Sequence, residues 1–196
     1  MRVLASVVTG SAVLCLCLTA RAQTIHVPTS SDFYKKSLGP YVTSPPEVVD
    51  EMLELARVRP GETVYDLGSG DGRVLITAVK QFKARAVGIE LSEDLYRLSN
   101  DKIARLGLQN EARVINADVR TVDLSPANVV IMYLETDSNE KLRPMLEKML
   151  RPGTRVVSHE YRVPGWKAAK IAKADAGYGH SHLIYLYRMP PEKQTP

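Results

Sequence analysis

The chain has 196 residues, 44% hydrophobic and 24% charged, an ordinary balance for a soluble globular protein, long enough for one full core and tight for two domains. Its formal charge of +4 permits acidic partners without demanding nucleic acid, and no nucleic-acid partner is expected. Both cysteines, Cys15 and Cys17, fall in an N-terminal apolar run; a chain without that run has no disulfide and no thiolate metal site.

Arg2, the uncharged stretch from Val3 to Leu18, and Ala20-Arg21-Ala22 have the form of a secretory signal peptide with cleavage after Ala22; an uncleaved membrane anchor is the alternative. Residues 1–22 are therefore expected to export the chain or fix it to a membrane. Residues 23–40 read as a polar surface arm, 41–190 as a single domain acting as a monomer, and 191–196 as a tail. Within the domain, Ser44 is expected to cap a helix opened by Pro45-Pro46, with Val48, Val49, Met52, Leu53, Leu55 and Ala56 at helical spacing and Pro60-Gly61 as its stop. Strands are then expected over 63–67, 86–90, 112–116, 128–133 and 154–159. They alternate with helices over 72–82, 92–106 (capped by Ser92, stopped by Gly107) and 139–150. Continuous apolar strands between amphipathic helices argue an α/β fold with a Rossmann-like, doubly wound, mostly parallel sheet. Residues 166–174 and 182–187 should add a C-terminal antiparallel pair.

The stretch Val64-Tyr65-Asp66-Leu67-Gly68-Ser69-Gly70-Asp71-Gly72 reads as a buried strand ending on an acid, then a glycine loop, then a helix start. Glycines in such a loop let backbone N–H groups approach a ligand closely. Phosphate loops add a lysine, but here Asp66 and Asp71 flank the glycines and the loop has no Lys or Arg. Two carboxylates repel phosphate and suit a ligand carrying an ammonium and a sulfonium, as S-adenosylmethionine does. The third glycine also comes one residue too early for the dinucleotide pattern. Asp71 has a plainer alternative role, capping the helix that follows.

Three acids end three successive strands: Asp66, Glu90 and, two residues past its strand, Asp118. In a parallel sheet these ends form the ligand crevice. Asp66 with the backbone of Gly68 and Gly70 would hold the methionine end of the cofactor, and Ser69 and Gly72 belong to the same loop. Glu90 can accept both ribose hydroxyls, Asp118 the adenine amine, and the Val119 backbone a ring nitrogen, with Ile89 or Leu91 against the adenine. Hydrogen bonds to a charged acceptor contribute about 1.5–3 kcal/mol each, so loss of Glu90 should weaken cofactor binding by about one to two powers of ten.

On these residues the chain resembles the class I, seven-strand S-adenosylmethionine-dependent methyltransferases. Pro40-Tyr41-Val42-Thr43-Ser44-Pro45, the loop through Arg73, and Arg155-Val156-Val157-Ser158 are similar to a small protein-lysine methyltransferase family. Its eukaryotic members are membrane-anchored mitochondrial enzymes acting on inner-membrane proteins, and it has bacterial relatives. The resemblance implies S-adenosylmethionine as cofactor, a lysine on a protein as acceptor, a Tyr41–Pro45 segment folded over the cofactor as a lid, and Thr43 on the methionine moiety. Two features depart from the wider pattern. Met132-Tyr133-Leu134-Glu135 stands where many amino-group methyltransferases have Asn/Asp-Pro-Pro-Tyr, and little room follows the fifth strand for the helix usual there.

Tyr133, Glu135, His159 and Glu160 sit at the ends of the fourth and fifth strands and are the candidates for meeting the acceptor; Tyr133, Glu135 and Glu160 are the candidate catalytic residues. His180 and His182 share a face of an extended segment, but two imidazoles without further ligands make no metal site, and none is expected. Lys167, Lys170 and Lys173 read as a solvated face. A small-molecule or RNA acceptor, a cofactor-binding module without catalysis, and an NAD(P)-dependent oxidoreductase stay open, the last disfavoured by the loop's acids and glycine spacing.

Overall fold

A computed structural model describes residues 37–177 and 181–194. Residues 1–36, including the expected signal or anchor and most of the expected arm, lie outside the described residues, as does His180. The elements follow in chain order as α1 (Pro46–Leu55), β1 (Thr63–Leu67), α2 (Arg73–Phe82), β2 (Arg85–Glu90), α3 (Glu93–Arg105), β3 (Ala112–Asn116), a short 3-10 turn (Val119–Thr121), β4 (Val129–Met132), α4 (Thr136–Met149), β5 (Arg155–His159), β6 (Lys170–Asp175) and β7 (Ser181–Arg188).

The seven strands among the described residues join one sheet in the order β3-β2-β1-β4-β5-β7-β6. The first five are parallel, and β7 runs antiparallel between β5 and β6. This is the expected doubly wound sheet with its C-terminal antiparallel pair. The order reverses between β1 and β4, where a parallel sheet opens its ligand crevice.

Both faces of the sheet are buried because alternate residues of each strand point opposite ways. Val64, Val129, Ile131, Val157, Ile184 and Leu186 pack on one side with α1, α2 and Ile103 of α3. Tyr65, Leu67, Val130, Met132, Val156, Tyr185 and Tyr187 pack on the other with Leu142 and Leu146 of α4.

Local chemistry departs from expectation in three places. Ser44 does not cap α1: Pro45 holds the cap position without a side-chain bond, and the Ser44 hydroxyl lies instead 2.9 Å from His159 Nδ1. Helix α4 begins at Thr136, three residues before the sequence pattern suggests, because its polar first turn is held from outside. Ser138 Oγ donates to Leu38 O, and the fully buried Asn139 amide reaches Ser158 Oγ and the carbonyls of Tyr161 and Arg162. Third, Trp166 precedes β6 rather than starting it; it is buried, with Nε1 donating to Glu147 Oε1 at 2.7 Å. No helix intervenes between β5 and β6.

Arg155 shows how α1 is anchored to the sheet. From the first position of β5 its Nη1 donates to the carbonyls of Ala56 and Arg57, at 2.7 and 2.8 Å, and its Nη2 meets Glu62 Oε1 at 2.7 Å. A buried guanidinium thus satisfies orphan carbonyls and the negative end of the dipole at the C-terminus of α1. Arg155→Met should lower stability by about 2–3 kcal/mol, read as a fall in the urea midpoint at constant slope; an unmoved midpoint would refute the anchoring role.

Candidate active site

The carboxyl ends of β1, β2 and β4 and the turn after β3 open into a cleft of about 620 Å³, a volume that suits a nucleoside-sized ligand. Asp66, Gly68, Ser69, Gly70, Glu90, Leu91, Asp118, Val119, Tyr41, Thr43 and Tyr133 all border it. Residues 37–44 form one wall, so the segment expected to be a lid does lie against the glycine loop. The contact is close: a Cβ added to Gly70, at φ +53°, would stand 2.6 Å from Cε2 of Tyr41. Gly70 is therefore required both by its left-handed backbone and by the ring above it.

Gly72, Glu135 and Glu160 are not among the residues bordering the cleft. Gly72 is a packing position, since a Cβ there would come within 3.1 Å of Ser99 Cβ on α3. Glu135 is exposed immediately before α4. Glu160 turns to His182, with its Oε1 2.7 Å from His182 Nδ1.

The electrostatics differ from a simple count of acids. Burial works to raise the Asp71 carboxyl, but hydrogen bonds and charge from Arg73 and Lys102 outweigh it and hold the group at about 2. Asp71 also accepts from the Arg73 N–H at 3.3 Å, partly filling the capping role. Its charge is thus spent on cations from α2 and α3 rather than offered to a ligand. Asp118 is engaged by Arg120, whose Nε lies 2.9 Å from Oδ1, and caps the 3-10 turn through the Arg120 N–H. That leaves Asp66 and Glu90. Burial, then the neighbouring Glu90 and Asp71 carboxylates, push Asp66 up to about 8. Burial raises Glu90 too, against the pull of its N–H donors.

Glu90 has a second task. Its two oxygens accept the N–H groups of Gly70 and Ser92, each at 2.8 Å, tying the glycine loop to the start of α3. Each oxygen keeps a lone pair for a ligand hydroxyl. Removing the carboxylate would therefore loosen the loop as well as delete a ligand contact.

Sequence reasoning missed three groups. Gly88, opposite Asp66 in β2, has no room for a side chain: a Cβ would lie 2.4 Å from Ser69 Oγ and 2.7 Å from Leu75 Cδ1. A glycine inside a strand was the available signal. Asn116 Nδ2 clamps the carbonyls of Glu90 and Leu91, at 2.9 and 3.2 Å. Tyr161 stacks on Tyr133 with 6.2 Å between centroids, while His159 lies 3.9 Å from Tyr133 on that ring's other contact. Together they make an aromatic wall beside the cleft.

The residues present suit S-adenosylmethionine. Arg73 is the only cation among the described residues bordering the cleft, and it is engaged by Asp71 and by the Ser44 carbonyl at 2.7 Å, so nothing there welcomes a diphosphate. Ser69 Oγ is buried without a hydrogen-bond partner on the loop itself. Gly88→Ala should destabilise the domain by about 1–3 kcal/mol and displace Ser69, weakening S-adenosylmethionine binding by about tenfold in calorimetry. Wild-type affinity in that variant would show that the loop's approach to β2 does not shape the cleft.

The ANTKMT methyltransferase domain matches residues 66–170. A protein-lysine N-methyltransferase of Saccharolobus islandicus (strain REY15A) is 45% identical over 76% of this chain and 92% of its own length. The mouse adenine nucleotide translocase lysine N-methyltransferase is 33% identical over 67% of this chain; the match spans 57% of that longer protein. Among solved structures, an RNA methyltransferase from Salinibacter ruber in complex with S-adenosyl-L-homocysteine superposes with a TM-score of 0.72 at 38% identity, over 79% of this chain and 97% of that one. With sequence, fold and cleft in agreement, the chain belongs to the ANTKMT methyltransferase-domain family of class I, S-adenosylmethionine-dependent methyltransferases.

Proposed function

We propose that this enzyme transfers a methyl group from S-adenosylmethionine to the side-chain amine of a lysine on a protein. The observation that carries the reading is the cleft at the β1–β4 switch point, lined by Asp66, Glu90 and the glycine loop and walled on the acceptor side by Tyr133, in a chain 45% identical to a protein-lysine N-methyltransferase. The likeness to a protein named as an RNA methyltransferase makes RNA the second acceptor class to test.

S-adenosylmethionine, when bound, supplies an electrophilic methyl group on a cationic sulfur. Asp66 and the Gly68–Gly70 backbone would hold its amino-acid end, Glu90 its ribose hydroxyls, and Asp118 and Val119 its base. Tyr41 and Thr43 would close over it from the lid. The rest is proximity and alignment, which supply up to about 7–11 kcal/mol of a displacement barrier.

The acceptor lysine must arrive neutral. Tyr133 is no base at neutral pH, because burial first, then Glu160 and Tyr161, raises its phenol further above its ordinary value. It can accept or donate a hydrogen bond and hold the amine in line. Glu135 and Glu160 stand off the cleft, so deprotonation falls to partial desolvation of the amine against Tyr133, which lowers an ammonium pKa. The N-terminal apolar run supports export or anchoring and an acceptor in or near a membrane; among the described residues no helix is long and apolar enough to span one.

Two outcomes are expected. With tritiated methyl donor and a membrane extract, label should enter material digested by protease and resistant to nuclease, and hydrolysis should return methyllysine; nuclease-sensitive label would assign the acceptor to RNA. Tyr133→Ala should cut turnover by about 10²-fold with little change in cofactor affinity. Separately, Asp66 is largely protonated in the free enzyme, its carboxyl having risen from 3.8 to about 8. A bound cation favours the ionised form, so binding at neutral pH should release a proton and tighten as pH rises toward about 8. Calorimetry in buffers of different ionisation enthalpy reads this directly; buffer-independent heats would refute it.

A further inference from the structure

The antiparallel register of β5 and β7 sets His159 opposite Ile184, so His182, two residues along, shares its face of the sheet. Three ligand atoms converge there. His159 Nε2 lies 3.0 Å from His182 Nδ1, His182 Nδ1 lies 2.7 Å from Glu160 Oε1, and His159 Nε2 lies 3.7 Å from that same oxygen. All three fall within 4.8 Å of one another. Sequence spacing paired His182 with His180; the further donors are the last residue of β5 and the residue after it.

Protons alone satisfy this cluster poorly. A neutral imidazole nitrogen either donates or accepts. If His182 Nδ1 carries the proton, one N–H serves both His159 Nε2 and the Glu160 carboxylate. If His159 donates to it, its remaining electron density faces the carboxylate at 2.7 Å. His159 is fully buried, so the cluster has little water to share these contacts with. A cation at the focus of the three atoms relieves every one of these contacts.

We propose that His159 Nε2, His182 Nδ1 and Glu160 Oε1 form a binding site for a divalent transition-metal ion of the zinc class. Two imidazoles and one carboxylate are the donor set such an ion takes with a fourth position open, whereas calcium and magnesium prefer all-oxygen cages. The surroundings are built for it. The remote nitrogen of His159 is bonded to Ser44 Oγ at 2.9 Å, the kind of outer partner that fixes the orientation of a metal-ligating imidazole. Glu160 adopts φ +62°, an uncommon conformation for a non-glycine residue, pinned by its N–H to Leu183 O at 2.7 Å and by the Tyr161 N–H to His159 O at 2.7 Å. His159 also packs at a tilt against Tyr133, and Ser44 lies in the lid segment, so a bound ion would brace the acceptor wall and the lid together. Binding of the ion does not depend on which acceptor the enzyme methylates.

The test is zinc binding to the full chain after chelator treatment, by calorimetry, alongside cobalt substitution read by visible absorption. Wild type should bind one ion per chain with a cobalt spectrum of nitrogen and oxygen ligands. His182→Ala and Glu160→Gln, both at partly exposed positions, should weaken zinc binding by about tenfold or more while circular dichroism stays native. Three results would overturn the site: no zinc binding by wild type, equal affinity in both folded variants, or a thiolate-to-cobalt charge-transfer band assigning the ion to Cys15 and Cys17. Should the variants fail to fold, the wild-type cobalt spectrum still decides between the clusters.

Discussion

Asp66 and Glu90 stand near the ends of neighbouring parallel strands and are both buried; burial raises each carboxyl, and Glu90 raises Asp66 further. Among the described residues no cation pairs with them, whereas Asp71 has Arg73 and Lys102. An uncompensated pair of buried acids costs stability in the free fold. Positive charge and hydroxyl donors brought beside these acids would remove that cost, which is the physical basis of the proposed preference for a cationic nucleoside. The glycine loop and residues 37–44 border the same cleft as this pair, and Gly88 lets the loop sit against β2.

The loop is held in place from three directions. Glu90 takes the Gly70 and Ser92 amides, the loop N–H groups of Gly68 and Ser69 return to Ile89 O, and Gly88 leaves room for Ser69 to sit on β2. Asp71 carries the restraint outward: its bond to Arg73 aims that guanidinium at the Ser44 carbonyl, and the Ser44 hydroxyl reaches His159. A continuous polar chain therefore connects the cofactor loop, the lid and the aromatic wall. Asp71 contributes stability to this chain that is present above its ordinary value of 3.8 and is lost as pH falls through about 2. His159 works in the same sense at higher pH, favouring the fold above 6.5 and losing that contribution as pH falls toward about 4.

Beside Tyr133, neither Glu135 nor Glu160 reaches the cleft to serve as a base. Tyr133 borders the cleft and packs against Tyr161 and His159, while the carboxylates nearest in sequence, Glu135 and Glu160, stand off the cleft. Small amine acceptors in water are protonated at neutral pH, so a site that strips solvent from the amine does the necessary work without a dedicated proton acceptor.

The sheet, its antiparallel ending, the glycine loop and the three strand-end acids were legible in the chain because each depends on local pattern: apolar runs, glycine spacing and cap residues act over a few neighbours. The partners of those groups were not. Asp71 looks like a ligand anion until Lys102, 31 residues on, arrives beside it, and Ser44 looks like a cap until β5 brings His159, 115 residues away. Glu160 and His182 meet through strand register, which no spacing in the sequence records. Sequence by itself determined which strand ends and which glycine turn form the crevice, since these are set by short-range sterics and burial. Only the tertiary structure decided which of their charges remain to meet a ligand, because neutralisation depends on groups that are close in space and distant along the chain.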